Sequence, residues 1–144
     1  MKLEDIHNMW SEDCDVDRTE LGEESLKLPK VHSKYLRVFS EERLTLKKLE
    51  EERKEFVKLK YDYYRGFLSE EDLKANGWVP FQLNVLKTDV PMYIEADQEM
   101  IKINLKLALQ QEKVSTLEAI IKSISNRGFL IKNAIEFEKF KVGA

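Results

Sequence analysis

Ten positions near the end of the chain step alternately by four and three residues: Ile103, Leu107, Gln110, Val114, Leu117, Ile121, Ile124, Gly128, Ile131 and Ile135. This seam constrains the fold more than any other feature. A spacing averaging 3.5 residues keeps one line of side chains on one side of a helix, and such a line is stable only against another helix. It predicts a helix from about Asn104 to Lys141. Gln110 and Gly128 are its two non-apolar members. A second line, Leu105, Leu109, Ile120, Leu130 and Phe137, widens the apolar face, which suits a bundle or a higher oligomer better than a simple two-stranded pair. Two arrangements fit the pattern equally well: packing between copies, or an intramolecular hairpin turning at Asn126-Arg127-Gly128.

Upstream, Asp17 and Glu20 have capping-box spacing and predict a helix start near Arg18. Pro29 kinks or restarts that helix, and Val31, Tyr35, Leu36 and Phe39 continue it as a helical stripe. Ser40 is suited to cap a second helix running to about Arg65, which Gly66 ends. Gly66, Gly77, Pro80 and Pro91 then interrupt any long helix. Ser69 caps one short helical turn, Glu70–Ala75, and Phe81–Val85 alternates apolar and polar residues like an extended piece. Trp78 and Phe81 have no assigned role: packing on a neighbouring helix suits them better than an exposed pair docking a partner protein. The expected fold is therefore mainly α, in three parts. They are an N-terminal helical region (1–66), a short irregular connector with extended pieces (67–103) and a C-terminal oligomerising helical region (104–144).

A chain of 144 residues forms about one domain and buries a limited fraction of its surface alone, so self-association is a natural route to stability. Its single cysteine, Cys14, excludes an intramolecular disulfide and fits a reducing compartment. The opening Lys2-Leu3-Glu4-Asp5 lacks the apolar stretch of a signal peptide, and no run is long enough to span a membrane. An intracellular, soluble protein is expected. Chemistry finds little to work with. The only histidines, His7 and His32, sit in no metal-ligand or nucleophile pattern, and there is no glycine-rich phosphate loop. Asp13, Asp15, Asp17 and Glu24 match four calcium-loop positions, but Arg18 stands where the loop needs glycine. An acidic helix start, favoured by the helix dipole, explains them better. No catalytic residue, metal site or cofactor is expected, and the protein does not read as an enzyme.

The net charge of −3 conceals an alternation: −5 over residues 1–30, +3 over 31–66, −5 over 67–100 and +4 over 101–144. Within the first basic segment, Lys47, Lys54, Lys58 and Arg65 fall in a narrow arc of a helix with Tyr61 beside them. Leu49, Phe56, Leu59 and Tyr63 lie opposite, and Lys60 lies nearer the apolar edge. The helix ends in Tyr61-Asp62-Tyr63-Tyr64-Arg65, which interleaves aromatic rings with cations. Single-stranded nucleic acid is bound by this combination, cations following phosphates while rings stack on unpaired bases. Lys54, Lys58, Lys60, Tyr61, Tyr64 and Arg65 are the candidate DNA-binding residues. A solvated face laced by pairs such as Glu50–Lys54 and Lys58–Asp62 fits the same residues, as in a DNA-free coiled-coil scaffold. That alternative leaves the Tyr-Tyr-Arg end unexplained.

The stretch Val57-Lys58-Leu59-Lys60-Tyr61-Asp62-Tyr63-Tyr64-Arg65-Gly66 resembles the Lys-x-Arg-x-Asp-Tyr-Tyr-x-Gly segment of the UvsY family, recombination mediators of T-even-like bacteriophages. Lys2-Leu3-Glu4-Asp5 resembles the family's opening; Asp17, Thr19 and Leu21 resemble its first helix, with Ser33-Lys34 further along. Arg127-Gly128-Phe129, Ile131-Lys132 and Phe137 resemble its C-terminal Ser-Arg-Gly-Phe-x-Ile-Lys stretch. The resemblance implies a non-enzymatic protein in the cytoplasm of an infected bacterial host. Such a protein binds single-stranded DNA and promotes loading of a UvsX-like recombinase onto strands covered by the phage single-stranded-DNA-binding protein. It further implies a ring-like homoheptamer. Lys58 and Lys60 match the family's DNA-contacting pair, with lysine at 60 where the family has arginine. Residues 105–141 match its oligomerisation segment, which assigns Leu107, Val114, Leu117, Ile121, Ile124, Ile131 and Ile135 to contacts between copies.

Overall fold

A computed structural model describes residues 1–143, and among them it contains five helices and no strand: α1 (Leu3–Asp13), α2 (Leu21–Tyr64), α3 (Glu70–Asn76), α4 (Val90–Ala96) and α5 (Gln98–Lys141). The mainly α reading holds. Phe81–Val85 is irregular rather than extended into a strand, because no neighbouring segment offers it a ladder.

Helix α1 went unread in the sequence, although Leu3, Ile6, Met9 and Trp10 carry helical spacing and Glu4 and Asp5 sit in its first turn, where the dipole favours acids. Asp17 does not cap a helix at Arg18. Its carboxylate accepts the Thr19 N–H at 2.9 Å and the Thr19 hydroxyl at 2.6 Å, closing a turn, and α2 starts at Leu21. From there α2 runs unbroken through Pro29 and Ser40 to Tyr64. Pro29 is exposed, so the carbonyl it cannot serve meets water, while Leu28 and Val31 on either side pack into a core. Gly66 ends the helix as expected. With φ at +73° it lets its own N–H reach Tyr63 O (3.1 Å) and the Phe67 N–H reach Asp62 O (2.8 Å), a Schellman motif. Ser69 caps α3 by accepting the Asp72 N–H.

The chain divides into two compact units. The first comprises Met1–Thr45 and Gln110–Ala144. Its core is Ile6 of α1, Tyr35 of α2 and Leu117, Ile120 and Ile124 of α5, with Trp10, Leu28, Val31, Phe39 and Ile121 packed around them. Helix α5 passes straight through Asn126-Arg127-Gly128, so the hairpin alternative is excluded. The seam nevertheless closes within the chain, since α1 and α2 supply the partner surface. Polar groups are matched inside this unit. Gln110 Nε2 donates to Glu42 O (2.8 Å) and Glu42 Oε2 (2.6 Å); Arg127 donates to Asp13 O (2.8 Å). Asp13 Oδ2 accepts from Lys34 Nζ (2.6 Å) and Tyr35 OH (2.8 Å).

The second unit, Leu46–Leu109, holds the C-terminal turns of α2, the connector and the first turns of α5. Trp78 and Phe81 pack on α2, Trp78 edge-on to Phe56 (6.1 Å between ring centroids) and Phe81 edge-on to Tyr64 (4.9 Å). Tyr93 of α4 joins them, 5.6 Å from both Phe81 and Tyr64. Among the described residues no helix is long and apolar enough to cross a membrane.

Candidate nucleic-acid interface

All six candidate DNA-binding residues lie in the second unit, on or just beyond the last turns of α2, but the structure sorts them into two groups. Lys54 and Lys58 project into solvent, their side chains 68% and 81% exposed. Lys54 pairs with Glu51 at 3.1 Å, as does Lys47 at 3.3 Å, and Lys58 pairs with Asp62 at 3.2 Å. Such exposed pairs are screened by solvent and hold their partners only weakly. Glu51 shows the local field: hydrogen bonds from Lys54 and Lys47 hold its carboxyl below the usual range. Tyr61 is half-buried beside this face.

Lys60 faces the other way. It is 2% exposed, so the residue that the sequence places near the apolar edge and among the DNA-binding candidates is a buried cation. Its Nζ lies 3.0 Å from Asp97 Oδ2, 3.2 Å from Glu99 Oε1 and 3.9 Å from the Trp78 ring centroid. Position 60 is two residues from position 58, which turns it about 200° round the helix. Tyr64 is also packed inward, its hydroxyl donating to Asp97 Oδ2 at 2.7 Å. Burial first, then this bond to an anion, raises the Tyr64 phenol above its ordinary value. Asp97 responds oppositely. Burial alone would raise it, but the Tyr64 hydroxyl, the Met100 N–H (2.9 Å) and Lys60 together hold it below the usual carboxylate range. Arg65 is half-buried and donates to Val85 O at 3.1 Å. Lys60, Tyr64 and Arg65 therefore bind the connector to α2 in this conformation, and Lys54, Lys58 and Tyr61 form the face open to a ligand. A cleft of about 430 Å³ adjoins the inward group, lined by residues that include Tyr63, Trp78, Val79 and Gln98.

The residues expected between copies are also divided. Val114, Leu117, Ile124 and Ile131 are buried within the chain, and Leu107, Ile121 and Ile135 are half-buried. Of the second apolar line, Ile120 is buried, whereas Leu105, Leu109, Leu130 and Phe137 stay exposed, as do Phe129 and Phe140. Sequence reasoning missed Asp97 and Glu99 altogether. The signal available was an acidic pair at the start of a helix, which reads as ordinary dipole compensation. Among the described residues, no group of three or more His, Cys, Asp or Glu side chains is placed to hold a metal ion, and Asp13, Asp15, Asp17 and Glu24 do not gather into one.

Two long helices, a connector held against α2 by Lys60, Tyr64 and Arg65, and an exposed face carrying Lys54 and Lys58 beside Tyr61 define an all-α protein with a cationic surface on one helix. Residues 9–144 match the family model described as "Recombination, repair and ssDNA binding protein UvsY", and the chain belongs to the UvsY family. It is 23% identical to the "Recombination protein uvsY" of Enterobacteria phage T4 over 143 residues, covering 99% of each chain. Its fold is that of crystal structures of the bacteriophage T4 recombination mediator protein UvsY. The lattice type IV structure gives a TM-score of 0.85 at 22% identity, covering 97% of this chain and 99% of that one. The lattice type II structure gives 0.84 at 24% identity, covering 99% and 98%.

Proposed function

We propose that this chain is a recombination mediator that binds single-stranded DNA on the outer face of α2 and promotes loading of a UvsX-like recombinase onto strands covered by single-stranded-DNA-binding protein. The observation that carries the reading is the exposed pair Lys54 and Lys58 beside Tyr61, in a chain of the UvsY family. The cations follow the phosphate backbone without reading sequence, and the phenol ring is available to stack on an unpaired base. Lys60, Tyr64 and Arg65 support that face from beneath. Catalysis plays no part; the protein acts by holding and bending the strand so that the resident binder loosens and the recombinase nucleates. The work takes place in the cytoplasm of an infected bacterial cell, with the recombinase, the single-strand binder and further copies of this chain as partners.

Self-association, with a heptameric ring as its end point, multiplies a weak face into a continuous track and raises affinity without new contacts. In residues 104–144, Leu107, Ile121 and Ile135 keep part of their surface for a neighbouring copy, with Leu130 and Phe137 exposed beside them. Val114, Leu117, Ile124 and Ile131 support such contacts from within.

The test is fluorescence anisotropy of labelled oligo-dT titrated with the wild-type chain and with Lys54→Ala/Lys58→Ala, after mass determination in solution. Salt-sensitive binding by an assembled wild type, greatly weakened in an equally assembled double variant, is the expected result. An assembled wild type without salt-sensitive binding overturns the reading in favour of a DNA-free scaffold.

A further inference from the structure

We infer that Lys60 is a positioning residue, seated between Asp97, Glu99 and the Trp78 ring, which fixes the rotation of the last turns of α2 and so contributes to DNA binding without touching DNA. The inference rests on the proposed single-stranded-DNA-binding function.

Three features of the seat support it. The ammonium has three N–H donors, and all its directions are used: Asp97 at 3.0 Å, Glu99 at 3.2 Å and the face of Trp78 at 3.9 Å. Nothing is left to offer a phosphate, and a phosphate brought close would meet two carboxylates. The acceptors are themselves engaged. Asp97 Oδ2 also accepts from Tyr64 OH, and Asp97 Oδ1 accepts the Met100 N–H at the start of α5. Glu99 Oε1 also accepts Trp78 Nε1–H at 2.6 Å. One cation thus ties α2, the connector and α5 together. Withdrawing it would leave Asp97 buried without its counter-charge.

Geometry then links the seat to the ligand face. Positions 58 and 60 lie about 200° apart on one helix, so drawing Lys60 inward is what turns Lys58 outward. A helix end free to roll or fray would present Lys54, Lys58 and Tyr61 in no fixed arrangement.

The experiment compares wild type, Lys58→Ala, Lys60→Met and Glu99→Ala in oligo-dT anisotropy over a salt series. It also follows the emission of Trp78, isolated by subtracting the signal of Trp78→Phe. Lys58→Ala should weaken binding, lower the log–log salt slope by about 0.7 and leave Trp78 unchanged. Lys60→Met and Glu99→Ala should each weaken binding on the order of tenfold, keep the wild-type slope and shift Trp78 emission to the red. Glu99→Ala is the decisive arm. It removes an acid, so charge alone predicts tighter binding, and Glu99 is half-exposed, so the variant can fold even where Lys60→Met does not. The inference is overturned if Glu99→Ala binds as tightly as wild type, or if Lys60→Met lowers the slope as Lys58→Ala does with Trp78 unmoved. A wild type that fails to bind at all would instead remove the DNA-binding reading itself.

Discussion

Lys58 and Lys60 stand two residues apart on one helix, yet the side chain of the first is 81% exposed and that of the second 3%. The two lysines therefore contribute to different quantities. Lys58 makes one solvent-exposed ion pair, with Asp62, and its loss should change stability by no more than about 0.5 kcal/mol. Lys60→Met strands a buried carboxylate and should cost about 3–5 kcal/mol. Urea denaturation followed by circular dichroism separates the two, and equal losses for both variants would contradict the burial of Lys60.

Gln110 is the polar exception in the α5 seam, and the structure gives the reason. Its amide donates to both the backbone and the carboxylate of Glu42, and both residues are buried. The Glu42 carboxylate also receives the Met1 ammonium at 3.3 Å. Gln110→Leu would improve the heptad pattern on paper. It should nevertheless destabilise the chain by about 1–3 kcal/mol, because two buried acceptors lose their donor. A thermal midpoint equal to or above that of wild type would show that the apolar seam outweighs the pair.

How much of this was legible in the sequence depends on the range of the interaction. The C-terminal helix and the Gly66 stop were readable because periodicity and φ preference are local. So was the Ser69 cap. The inward turn of Lys60 was not, since Asp97 and Glu99 are nearly 40 residues away and nothing near position 60 announces them. The continuity of α2 was misjudged for a related reason. Pro29 and Ser40 are local signals for a helix to kink or start afresh, and packing of Leu28, Val31, Val38 and Phe39 into the first unit's core overrides them. The seam shows the remaining limit: its spacing established that α5 needs a partner surface, but not that α1 and α2 provide it.

Gly128 has no steric reason to be glycine within the chain. It lies inside α5 without positive φ, and an added Cβ would meet only Leu28 Cδ1, at 3.9 Å, an ordinary contact. Gly128→Ala should therefore raise stability by about 0.5–1 kcal/mol, since alanine loses less backbone entropy on entering a helix. A higher thermal midpoint with unchanged mass in solution is the expected outcome. A lower mass would locate a close approach between copies at this residue.

Acid should unfold the chain through three carboxyls. Burial opposes ionisation at each, and their partners overcome it. Tyr64, Met100 N–H and Lys60 act on Asp97; Lys34 and Tyr35 act on Asp13; Gln110 and the Met1 ammonium act on Glu42. All three folded values lie below the ordinary ones of 3.8 for aspartate and 4.5 for glutamate. Around those ordinary values the unfolded chain binds more protons than the folded one, so stability rises with pH there. It is fully present above them and is lost as pH falls through the lower, folded values. Tyr35 and Tyr64 act at the other end, where folded values raised above 10 give stability that is lost as pH climbs past them. Circular dichroism of the wild type against pH should show a plateau through neutrality and a transition below about pH 4. In Lys60→Met, Asp97 loses one of the groups that keep it ionised, and the acid transition should move to higher pH. An unmoved transition would mean that Tyr64 and the Met100 N–H hold Asp97 ionised without Lys60.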